Sequence, residues 1–256
     1  MPEIDLPVKD EPQSEDETRQ PEVPEELNIL PLRDSVIYPM LIAPLSVGRP
    51  TSIRLIDETV SDNNRIVGVV AQRDPNIESP GFEDIYKFGC AVIIRTLVKL
   101  PDAVRLIVQG VVRFKITNAI HDDPYLRARI EVVEEQEIPK KFLDEVEALR
   151  RTTADLFNRA VTLAPHLPDE LKSLTQAVQE PGVMADLIAA HMPFAIEDKQ
   201  QILETIDIRD RLRLVVELLS REVRILELTS KVQSEVNTEL TRSQRDYYLR
   251  EQLKAI

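Results

Sequence analysis

Between Phe88 and Ile116, apolar and polar residues alternate with a period of two. Phe88, Cys90, Val92, Ile94, Val98 and Leu100 share one parity, and Val104, Leu106, Val108, Val112, Phe114 and Ile116 continue it. Arg105, Gln109, Arg113 and Lys115 fall on the other parity. Successive side chains of a strand point to opposite faces, so the pattern predicts two strands with one face buried and one wet. Pro101-Asp102 lies between them. Proline presets φ and aspartate bonds back to the backbone, so this pair predicts the turn of a hairpin. A third run, "YLRARIEVV", places Leu126, Ala128, Ile130 and Val132 inward and Arg127, Arg129 and Glu131 outward. Shorter strands are predicted in "LNILPLRDSVIYP" and "RIVGVVAQR", separated by a helix from about Arg49 to Ser61. Several strands with few helices between them point to a small closed or half-closed antiparallel barrel.

From Pro139 the period becomes 3.6. Phe142, Val146, Leu149, Leu156, Ala160 and Leu163 mark one helix. "PDELKSLTQAV", with Pro168 suited to a first turn, opens a second. "PGVMADLIAAH" and "AIEDKQQILE" make a third and a fourth. Asp207 then reads as the cap of a longer helix, because the fifty residues from Asp207 to Ile256 include no Gly or Pro. Ile208, Leu212, Val215, Leu219, Val223 and Leu226 form its stripe, which Val232, Val236, Leu240, Leu249 and Leu253 extend with a drift. Glu217–Arg221, Glu227–Lys231 and Asp246–Arg250 are spaced for i,i+4 pairs worth roughly 0.3 kcal/mol each. A continuous helix would be about 75 Å long, so its far end must protrude or find a partner. The fold class is α+β, with a tail over 1–26, a β domain over 27–137, a helical bundle over 138–206 and the long helix over 207–256.

Charge is distributed unevenly. Residues 1–26 hold ten acids against Lys9 and Arg19, and carry −8 of the chain's net −13. With five prolines and no apolar period, this tail is predicted to be disordered. An acidic chain repels phosphate backbones, which disfavours nucleic acid as a partner. No apolar run approaches the roughly 18–20 residues that cross a bilayer, which points to a soluble chain with no membrane partner. The single cysteine, Cys90, cannot form an internal disulfide, which fits a reducing cytoplasm.

Catalytic signatures are lacking. The sequence contains no GxxxxGK[ST], no GxGxxG and no GxSxG, and its six glycines do not cluster. His121, His166 and His191 have no partners at metal-ligand spacing, so no catalytic residue, metal or cofactor is assigned to this chain. Cys90 alternates inward and reads as a buried, inert thiol. The most suggestive stretch is "SVIYPMLIAPLSVGRP". Tyr38, Pro39, Met40, Leu41 and Ile42 are consecutive large or stiff apolar groups, and Pro39 and Pro44 break regular strand pairing. Two readings stay open: these side chains plug one end of the barrel, or they form an exposed surface for apolar peptide.

The segments "LPLRDSVIYPMLIAPLSVGRP", "LPDAVRLIVQGVVRFKI", "MADLIAAHMPFAIEDKQQILE" and "SQRDYYLREQLKAI" together resemble the Lon family of ATP-dependent proteases. The resemblance runs from about Leu27 to Ile256. It implies a PUA-like β domain followed by a helical domain. It also implies a parent enzyme that continues along the last helix into an AAA+ module, using ATP and Mg, and a serine protease module with a Ser-Lys dyad. Neither module is present, so this chain is expected to be a non-catalytic fragment. Its implied task is to bind misfolded, damaged or regulatory proteins in the bacterial cytoplasm, with Tyr38 to Ile42 as substrate-binding residues. Val232, Val236, Leu240, Tyr247, Tyr248, Leu249 and Leu253 are implied as an assembly and coupling surface within a hexamer. The rival expectations are a stand-alone PUA-like RNA-binding protein and a coiled-coil scaffold.

Overall fold

The computed structural model describes residues 22–61, 65–165 and 167–254, with side chains except at 176, 237 and 239–254. Most of the expected acidic tail lies outside these residues. Its predicted boundary is corrected at Glu26, which opens strand β1 (Glu26–Leu32) and whose carboxylate accepts from Arg127 and Arg129.

Six strands make one sheet: β1, β2 (Ile42–Val47), β3 (Ile66–Ala71), β4 (Phe88–Lys99), β5 (Val104–His121) and β6 (Arg127–Val133). Their order is β2-β5-β4-β3-β1-β6, and β6 also pairs with β5, so the hydrogen bonding wraps back on itself. The predicted hairpin is β4–β5, in register from Phe88↔Lys115 to Lys99↔Val104 through two shifts. The sheet is mixed, a correction to the antiparallel expectation: β1 and β3 run parallel. Helix α1 (Pro50–Ser61) lies on the path between them, as a parallel pair requires a crossover. All six residues of β3 are buried, the pattern of a strand covered on both faces. β2 is a further correction. Pro44 does not prevent pairing there, because β2 is an edge strand bonded only to β5.

The helical part begins with a 3-10 turn at Lys140–Phe142. It continues as α2 (Leu143–Leu163), α3 (Glu170–Ala177), α4 (Pro181–His191), α5 (Ile196–Glu204) and α6 (Ile208–Lys254). The Asp207 carboxylate accepts from the Asp210 N–H at 3.0 Å, so Asp207 caps α6 as its sequence position suggests. Leu212, Val215, Leu219 and Val223 are buried against α2 and α4. Arg221 and Glu227 do not form their predicted i,i+4 pairs. Arg221 pairs with Asp198 of α5 and Glu227 with Arg159 of α2, so these charges fasten α6 to its neighbours.

Two apolar clusters fill the β part. A third joins the helices to Val36, Tyr38 and Ala71, which binds the two parts into one packed unit. The polar contacts across this boundary are buried or partly buried. Arg113 of β5 donates to Leu203 O at 3.0 Å, Gln200 of α5 to Phe88 O at 3.1 Å, and the Tyr38 hydroxyl to Lys199 O at 2.9 Å.

Candidate functional site: a strained bulge beside an apolar groove

The segment from Tyr38 to Ile42 does not act as one surface. The Tyr38 ring is fully buried, and burial raises its hydroxyl pKa well above the usual phenol value. Its membership of an exposed patch is therefore corrected: it anchors the segment to α5. Leu41 packs against the helical core. Met40 and Ile42 are 55% and 67% exposed, with Pro39 half-buried between Tyr38 and Met40. One segment thus alternates between anchoring inward and presenting apolar groups outward.

The presentation has a definite backbone cause. Met40 N–H donates to Gly110 O at 3.0 Å, and Gly110 N–H donates to Leu41 O at 2.8 Å. Two residues of the segment therefore face one residue of β5, the arrangement of a β-bulge. Met40 has φ 64°, the left-handed region, where an L-residue costs roughly 1–2 kcal/mol. Opposite it, a Cβ on Gly110 would lie 2.0 Å from the Tyr38 carbonyl oxygen. Only glycine allows the two backbones to approach this closely. From Leu41 onward the ladder alternates, so Ile42, Pro44 and Ser46 turn their backbone groups to solvent. Pro44 has no N–H to leave open there, which blunts the edge against a pairing strand. The site therefore offers side chains rather than a strand template.

Beside the bulge lies a groove of about 500 Å³ between the sheet and the helices. Pro39, Met40, Val112, Val132 and Val183 form its apolar wall, and Val132 is 39% exposed. Its floor is ionic. Arg113 Nη2 donates to both Asp186 oxygens at 2.6 and 2.8 Å, and Arg211 reaches Glu135 at 2.5 Å and Asp186 at 3.5 Å. Arg211 is fully buried and also donates to Thr205 O and Ile206 O. Burial pushes the Asp186 carboxyl above the usual carboxylate range, while the Arg113 and Arg211 guanidiniums pull it back. Gly182, in the first turn of α4, makes room for Glu135, whose carboxylate would lie 2.6 Å from an added Cβ. These four charged side chains tie β5, the segment after β6, α4 and the base of α6 together.

Sequence periodicity placed Arg113 on the wet face, and the structure corrects this. The missed signal was Asp186, a lone acid inside the apolar run of "VMADLIAA". A buried carboxylate demands a cation. Cys90 is buried as expected, and burial pushes its thiol up to about 12. His121 and His191 contact the carbonyls of Tyr125 and Leu187, while His166 lies outside the described residues. Among the described residues no cluster is placed to hold a metal, and no helix is long and apolar enough to cross a membrane. A larger groove of about 790 Å³ beside α1 is lined by Pro50, Ile53 and Pro101 together with the exposed pair Arg54–Glu58 and with Asp57, which pairs with Lys99.

Along α6 the buried stripe ends near Leu226. Ile225, Leu228, Val232 and Val236 are each about half exposed or more. The side chains of Leu240, Tyr247, Tyr248, Leu249 and Leu253 lie outside the described residues, although the helix continues through them to Lys254.

Residues 26–221 match the model of the ATP-dependent protease La (LON) substrate-binding domain. The chain belongs to the Lon protease family. It is 42% identical over 236 residues to a Lon protease of Dictyoglomus thermophilum, covering 92% of this chain and 29% of that protein. It is 43% identical to a Lon protease of Anaeromyxobacter dehalogenans, covering 92% and 28%. The chain thus spans under a third of the length of these Lon relatives. The N-terminal domain of a Mycobacterium avium complex Lon protease superposes with a TM-score of 0.61 at 20% identity, over 76% of this chain and 98% of that one. A Lon N-terminal domain protein from Xanthomonas campestris gives 0.51 at 16% identity, over 75% and 97%. These superpositions establish the α+β fold of a Lon N-terminal domain. The bulge and the groove's apolar wall, from Pro39 to Val183, both lie within the matched region.

Proposed function

We propose that this region captures unfolded or damaged proteins for a bacterial, cytoplasmic, ATP-dependent Lon-type protease, and that Met40 and Ile42 make first contact. The parent's ATPase and Ser-Lys peptidase chemistry, with its ATP and Mg, belongs to modules outside these residues. The observation that carries the reading is the exposed Met40 held in a left-handed bulge. Strained backbone persists only where its surroundings over-determine it, and such positions cluster at functional sites. Here the strain holds a flexible thioether in water beside an apolar groove. Methionine adapts to varied apolar partners, which suits a receptor for many clients. Each contact contributes only about 2 kcal/mol. Several copies on a hexamer, held through α6 beyond its buried stripe, where Val232 and Val236 are exposed, would raise avidity.

Met40→Glu combined with Ile42→Glu tests the reading. Both side chains are exposed, so the thermal midpoint and far-UV circular dichroism should stay unchanged. Affinity for a reduced, carboxymethylated model protein should fall at least about tenfold, a loss of roughly 1.4 kcal/mol. Undiminished affinity would remove these two residues from the site.

A further inference from the structure

The groove's mouth carries a charge that capture of apolar side chains does not itself require. Glu134 and Glu180 line it beside Val132 and Val183, both are exposed, and neither makes an ion pair among the described residues. The third glutamate, Glu135, is neutralised by Arg211. The charges of the two guanidiniums on the floor are also paired, and Arg113 and Arg211 are 5% and 0% exposed. Arg113 is taken by Asp186 and Leu203 O, and Arg211 by Glu135, Asp186 and two carbonyls. Both cations are thus buried and neutralised by carboxylates, and the carboxylates left open are those of the rim. A groove of about 500 Å³ has room for a few side chains but not for a folded element.

We infer that the groove selects, among unfolded segments, those in which a short apolar core is flanked by lysine or arginine. This rests on the capture reading above and assigns the class of client to that site. An apolar side chain of the segment enters against Met40, Val132 and Val183. A flanking cation then meets Glu134 or Glu180, where solvent screens the pair but does not abolish it. Two exposed pairs of this kind are worth about fivefold in affinity together. The preference must fade with salt, because rim charges are screened within a Debye length. Segments flanked by aspartate or glutamate face like charge at the same mouth and bind more weakly than neutral ones.

Three labelled peptides sharing one Leu-Val-Phe-Leu core, flanked on both sides by lysines, serines or glutamates, test this by fluorescence anisotropy with the whole chain. The expected order of affinity is lysine, serine, glutamate, with about fivefold between lysine and serine at roughly 0.05 M salt, a wider gap between lysine and glutamate, and convergence of all three at roughly 0.5 M. In Glu134→Gln combined with Glu180→Gln the spread should shrink below about twofold while the serine-flanked peptide keeps its affinity. Equal binding of all three peptides by the parent overturns this inference and leaves the capture reading intact. Discrimination that persists in the double variant also overturns it, because the charge responsible would then lie elsewhere. Binding of none of the peptides overturns both readings.

Discussion

Asp186→Asn is expected to destabilise the protein by about 3–5 kcal/mol, measured as a lower midpoint of urea unfolding at unchanged slope. Asparagine keeps the shape of aspartate and still accepts a hydrogen bond from Arg113, so the cost isolates the charge. The carboxylate faces Arg113, 5% exposed, and Arg211, wholly buried. Without it two guanidiniums share the single carboxylate of Glu135, 37% exposed in its side chain. A domain is typically stable by only 5–15 kcal/mol, so the variant should sit near the edge of folding. Arg113→Met combined with Asp186→Leu should be less damaging than Asp186→Asn alone. The double change removes a buried cation together with its partner and leaves Arg211 with Glu135. A single variant within about 1 kcal/mol of the parent would mean that water reaches the network and that the floor of the groove is not dry.

The same network shows what a sequence reveals and what it conceals. Helices and the β4–β5 hairpin were legible because one face of each is apolar at the period of its element. The apolar stripe of α2 and the alternation from Val104 to Val108 report a single buried face. Arg113 was illegible because β5 changes its surroundings midway. Near Val104 one face is wet, while at Arg113 the second face is covered by α4 and the end of α5. Alternation cannot report a face whose cover comes from residues some seventy to ninety positions away. The parallel pairing of β1 with β3 was hidden for a related reason, since period two gives the faces of a strand but not its neighbours. Met40 was recognised as part of an apolar run, yet nothing in Tyr-Pro-Met-Leu announces a left-handed residue. Glycine or asparagine would have done so.

Gly110→Ala should be nearly as disruptive to stability as Asp186→Asn, and more disruptive to binding. The added Cβ would meet the Tyr38 carbonyl oxygen at 2.0 Å, its carbon at 2.8 Å and Pro39 Cα at 3.0 Å. All three are backbone atoms, so no rotamer change relieves the clash. The segment must lift, which breaks the Met40 and Leu41 bonds to Gly110 and draws the Tyr38 ring from its seat on Lys199 O. Overpacking of this kind costs about 3 kcal/mol, and affinity for denatured protein should fall at least about tenfold because the bulge no longer presents Met40. Met40→Gly separates the two effects. It relieves the left-handed strain of roughly 1–2 kcal/mol, offset by about 0.5–1 kcal/mol of extra freedom in the unfolded chain. Stability should therefore hold or rise by up to about 1.5 kcal/mol, while affinity falls because the thioether is gone. A strained residue kept for its side chain must show this opposition of stability and binding. If Met40→Gly binds denatured protein as the parent does, the strain at the bulge serves packing alone and the capture site lies elsewhere on the chain.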